Sequence, residues 1–119
     1  MTHVYERHLA RALDRMGGIY GLDDILAAIP EGRFQSFAEG DSWALTKIAD
    51  FPKKRLLEIL VALGDLEACR TLHDRVLQYA ERNDVDLVQA YGRRGWLRDA
   101  RTHGWKIKTT AYLYQRSLR

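Results

Sequence analysis

Cysteine is nearly absent. Cys69 stands alone among 119 residues, which excludes an internal disulfide framework and a metal site built on paired thiolates. Long apolar runs are missing too. The longest fall far short of the roughly 20 residues that cross a bilayer, so no membrane partner is expected. The first residues, Met1-Thr2-His3-Val4-Tyr5-Glu6-Arg7-His8, lack the charged start and apolar centre of a secretion signal. A reducing cytoplasm, or a particle assembled there, is therefore expected. No segment is low in complexity and no internal repeat occurs. Acids are scarce in one region only: from Gly92 onward Asp99 faces Arg93, Arg94, Arg98, Arg101, Lys106, Lys108, Arg116 and Arg119. The net charge of +3 is thus gathered towards one end. Such a face suits an anionic partner, or is simply solvated.

What is present reads as alternating helices and strands. Val4, Leu9, Leu13 and Met16 recur near helical spacing, and Gly17-Gly18 closes that helix. A short helix over 22–29 follows, with Asp23 and Asp24 at its positive end and Pro30 as its stop. Arg33–Phe37 then reads as a strand, Gly40-Asp41 as a turn, and Ser42–Asp50 as its hairpin partner. Phe51-Pro52-Lys53-Lys54 connects to Arg55–Leu63, whose nearly continuous apolar run fits a strand buried on both faces. A buried helix is the rival reading of that run.

The segment 65–82 is the clearest helix. Leu66, Cys69, Leu72, Val76 and Ala80 form one apolar stripe, and Asp65 is suited to cap its first turn. Asn83-Asp84 leads into a strand over Val85–Tyr91, which should lie parallel and adjacent to Arg55–Leu63. A short helix over 96–103 ends at Gly104, and a last strand is expected over Trp105–Tyr114. The expected fold is α/β (α+β), three layers on a mixed, mostly antiparallel central sheet. One domain spans 1–119: N-terminal helices over 1–30, antiparallel strands over 31–63, and helix-strand-helix-strand over 64–119.

This order over Arg33–Leu113 resembles the GNAT fold of the Gcn5-related N-acetyltransferases. Gly104-Trp105 is similar to that family's Gly-Phe step. Gly64-Asp65-Leu66-Glu67, Gly92-Arg93-Arg94-Gly95-Trp96 and His103-Gly104-Trp105 together resemble small GNAT-like proteins of tailed bacteriophages and prophages. The resemblance implies acetyl-CoA as cofactor in active members, its pyrophosphate held on a glycine-rich turn at a helix start. The family pattern there is Gln or Arg, two residues, Gly, one residue, Gly or Ala. Leu63-Gly64-Asp65-Leu66-Glu67-Ala68 departs from it: one glycine, no base and two carboxylates. The family's frequent tyrosine acid, four residues before the Gly-Phe step, corresponds to Ala100, which has no proton to give.

If the chain is active, Glu58 is the candidate base and Tyr112 the candidate acid, with Tyr91 and Tyr114 as further tyrosines and Glu39 and Asp41 as hairpin acids. Gly64, Asp65, Arg93 and Arg94 are the candidate cofactor contacts. A carboxylate such as Glu58 in an apolar strand needs a raised pKa or a partner such as Lys47. Cys69 and His73 lie four apart on the long helix, but no second pair completes a metal site, and none is expected. Cys69 reads as core and His73 as flanking surface; Trp96 and Trp105 read as core anchors.

The expected function is a catalytically degenerate GNAT-like phage protein, in the virion or the host cytoplasm, that contacts other particle proteins in a multi-copy assembly. No cofactor is then expected. The alternative is an active acetyl-CoA-dependent N-acetyltransferase, and a third reading is a nucleic-acid-binding module acting through the basic C-terminal face. The third predicts an affinity for DNA that falls steeply as salt rises, measured by fluorescence titration; a flat response removes it.

Overall fold

The computed structural model describes residues 7, 9–11, 13–14, 17–40, 42–90, 97–108 and 114–118. Its elements run α1 (Leu22–Ala28), β1 (Gln35–Glu39), β2 (Ser42–Asp50), β3 (Arg55–Leu63), α2 (Leu66–Arg82), β4 (Leu87–Ala90) and α3 (Leu97–Thr102). Residues 9–11 and 13–14 are helical ahead of α1, while Val4, His8 and Met16 lie outside the described residues. The sheet order is β1-β2-β3-β4. The first two pairings are antiparallel and β3–β4 is parallel, as the short loops around α2 require.

Two hydrophobic clusters cover the two faces of this sheet. On one face Leu9, Leu13, Ile25, Ala28 and Phe34 pack against Trp43, Leu45 and Val61. On the other Val76 and Ala80 of α2 pack on Leu57, with Phe37, Ile48, Ile59 and Tyr79 around them. The near-continuous apolar run of β3 follows from this arrangement, because a β-bulge splits the strand between the clusters. Leu45 pairs with Val61 and Thr46 with Ile59, so Leu60 has no partner in β2. Before the bulge Leu57 and Ile59 face α2; after it Val61 and Leu63 face the N-terminal helices. The ladder to β4 also ends there, at Ile59 and Ala90.

Three expected strands are corrected, and the one over Val85–Tyr91 starts at Leu87, past the bond between Asp86 and the Arg55 amide. The first begins at Gln35 instead of Arg33, because the amide of Arg33 still bonds the Ala28 carbonyl at 3.2 Å and Phe34 is buried under the helices. Of the last strand, residues 105–108 and 114 are in neither helix nor strand, and 109–113 lie outside the described residues. The amide of Trp105 bonds back to the Ala100 carbonyl at 3.0 Å, and its indole bonds to α2, which draws the chain onto a helix.

Gly64 joins β3 to α2 with φ of +122°, and a Cβ there would lie 2.0 Å from Ser42 Oγ and 2.6 Å from Ser42 Cα. The Ser42 hydroxyl can rotate away, but its backbone cannot. Gly64→Ala is expected to lower stability by about 2 kcal/mol or more in urea unfolding, from positive φ and clash together. Adding Ser42→Gly should recover only part of the loss.

Candidate functional site

The head of α2 is where the family resemblance places a cofactor, and it can be built from its residues. Gly64 brings the chain against Ser42, and Asp65 follows in an extended conformation, φ −77° and ψ 161°. Asp65 Oδ1 accepts a hydrogen bond from the Ala68 amide at 2.9 Å, so the carboxylate is the helix cap. A shallow pocket of about 250 Å³ opens beside it, lined by Glu39, Gly40, Asp65, Glu67, Ala68 and Thr71. Three of these carry carboxylates and none is basic. Arg75, one turn beyond Thr71, donates to the Ala38 carbonyl and lies 3.3 Å from Glu39 Oε2. The positive end of the helix is thus already met by protein anions, and an incoming pyrophosphate would meet like charge.

Cys69 sits just inside this turn, its Sγ 3.9 Å from Ser42 Oγ and 3.8 Å from the Leu63 carbonyl. Burial pushes its thiol pKa up, which leaves it a poor nucleophile and a poor ligand. Among the described residues no three His, Cys, Asp or Glu side chains are grouped to hold a metal ion.

A second constellation joins α2 to α3 and the segment after it. The Trp105 indole Nε1–H donates to His73 Nε2 at 2.8 Å. An indole can only donate, so this nitrogen of His73 carries no proton. His103 packs edge-on against His73 at 6.1 Å between centroids, and its Nδ1 lies 2.8 Å from the Asp99 carbonyl. Arg70 pairs with Asp99 Oδ1 at 2.9 Å. Trp105 is therefore half-buried on a helix surface, and His73 is its partner. Helical phase brings Arg70 and His73 to one face of α2, but nothing in the sequence announces that this face meets Asp99 and Trp105.

The other expected site residues are spread out. Glu58 is half-buried in mid-β3, opposite Lys47 on β2 and Gln89 on β4. It lies six residues before Gly64, roughly 20 Å along the strand. Tyr114 is 88% exposed. Ala100 is half-buried on α3. Asp41, Tyr91, Arg93, Arg94 and Tyr112 lie outside the described residues.

Known structures share this architecture. A protein of Thermus thermophilus aligns over 92% of this chain and 91% of its own, at 21% identity and a TM-score of 0.63. A Bacillus halodurans protein aligns over 95% and 89%, at 10% identity and a TM-score of 0.64. A Trypanosoma brucei acetyltransferase aligns over 82% and 77%, at 13% identity and a TM-score of 0.60. The fold is GNAT-like. At these identities the likeness concerns the chain path alone. No family model and no curated protein matches the sequence.

The GNAT-like frame makes the Arg70–Asp99 pair a tie between its long helix and its last one. The hydrogen bond from Arg70 holds the Asp99 carboxyl below the usual carboxylate range, against a smaller opposing effect of burial. Because folding lowers this pKa, the contribution is present above the ordinary carboxylate value and fades as pH falls through the lowered one. Arg70→Ala should move the Asp99 titration, followed by NMR of the carboxyl carbon, back up. A titration that ignores the substitution would show that the pair does not form.

Proposed function

We propose that this chain keeps the GNAT outline without acyl transfer and works through protein contacts, as a structural component of a phage particle or of its assembly. The observation that carries the loss of acyl transfer is the acidic head of α2. Asp65 occupies the Ala68 amide, and Glu39 and Glu67 line the same pocket. A helix start that binds phosphate needs free amides and no competing anion. The methyl group of Ala100, at the position corresponding to the family's tyrosine, supports the same reading. Assignment to a phage particle rests on the resemblance of the Gly64–Glu67, Gly92–Trp96 and His103–Trp105 motifs.

Titration calorimetry with acetyl-CoA, paired with an amine turnover assay, tests the first half. No binding heat and no turnover are expected; tight binding with turnover would establish the acetyltransferase alternative instead. Mass spectrometry of purified particles tests the second half, with the chain expected in several copies per particle and its absence counting against the assignment.

A further inference from the structure

The opposite end of β3 carries a feature that the acidic pocket does not explain. The hairpin between β2 and β3 turns at Phe51–Lys54, closed by the Phe51 amide on the Lys54 carbonyl at 2.9 Å and stiffened by Pro52. The Arg55 amide donates to Asp86 Oδ2 at 2.8 Å, and the Asp86 amide returns a bond to the Arg55 carbonyl at 2.9 Å. This clip sets Leu87 beside Leu56, its partner across the ladder. Between turn and strand lies an open groove of about 450 Å³, lined by Phe51, Pro52, Lys53, Lys54, Leu56 and Leu87. Phe51 is 58% exposed and Leu87 44%. A rigid turn that holds a phenylalanine in water leaves apolar area available for a partner.

The charged residues that line the groove are Lys53 and Lys54. No acid pairs with Lys53 or Lys54 among the described residues, and the neighbouring Asp50 lies 3.5 Å from Arg55. We propose that the groove binds an acidic segment of a partner protein, one apolar side chain seated on Phe51, Leu56 and Leu87 with flanking carboxylates on Lys53 and Lys54. This deepens the reading of the chain as one that acts through protein contacts. A second copy fits poorly, because its exposed apolar tail around Tyr114 and Leu118 carries Arg116, the wrong sign, and its acidic pocket at the head of α2 has no large apolar side chain in its lining to seat in the groove.

The test uses the full chain and a fluorescein-labelled peptide with glutamates on both sides of one phenylalanine, read by polarisation. Its counterpart has lysines in place of the glutamates. The acidic peptide should bind and the basic one should not. Lys53→Glu with Lys54→Glu, and separately Phe51→Ser, should each weaken binding about tenfold or more, as removal of an anchor does. Tyr114→Ser should leave it unchanged, and circular dichroism should show every variant folded. Equal binding of both peptides, no binding at millimolar concentration, or indifference to the groove substitutions would overturn the proposal. So would preferential capture by phosphatidylserine vesicles, or a dimer that Phe51→Ser dissolves in sedimentation. None of these readouts involves acetyl-CoA, so failure here and failure of the proposed loss of acyl transfer are separable.

Discussion

Backbone contact at Gly64 decides where the long helix can begin. With no side chain at that position, the end of β3 closes on Ser42, and the chain leaves with Asp65 extended. That conformation delivers the Asp65 carboxylate to the Ala68 amide. The helix then crosses the sheet, and β4 returns parallel to β3. The same junction therefore sets the topology and spends one of the amides at the helix start. Local stability and anion affinity compete for one set of donors, and here the protein's own acid takes part of that set.

Much of this was legible in the chain. The bounds of β2, β3 and α2 and the Asp65 cap follow from apolar period, flanking turns and capping chemistry. The bulge was visible only indirectly, as too many apolar residues in succession in Leu56–Leu63. What failed to show was tertiary. The pull of Trp105 onto His73, 32 residues away, replaces sheet pairing at 105–108, and nothing local to that segment announces it. The pairing of Arg70 with Asp99 is likewise a contact between distant helices. At the candidate site, the acids of Gly64–Glu67 were readable in order, but Glu39 joins them only through the fold.

The two surfaces singled out above sit at opposite ends of one strand. Arg55–Leu63 spans roughly 30 Å from the hairpin turn to the helix start. One end presents carboxylates around a capped amide, the other apolar side chains beside Lys53 and Lys54. Molecules bound at both ends would carry opposite charge, and β3, hydrogen-bonded on both sides along its first half, would fix the distance between them.

Leu60 has a thermal consequence. Because the bulge hands one strand from the α2 cluster to the cluster under the N-terminal helices, neither layer owns its own scaffold. Melting either cluster would strip side-chain neighbours from a ladder that the other still requires. Two layers that share a strand in this way behave as one cooperative unit, and heat should take them apart in a single step.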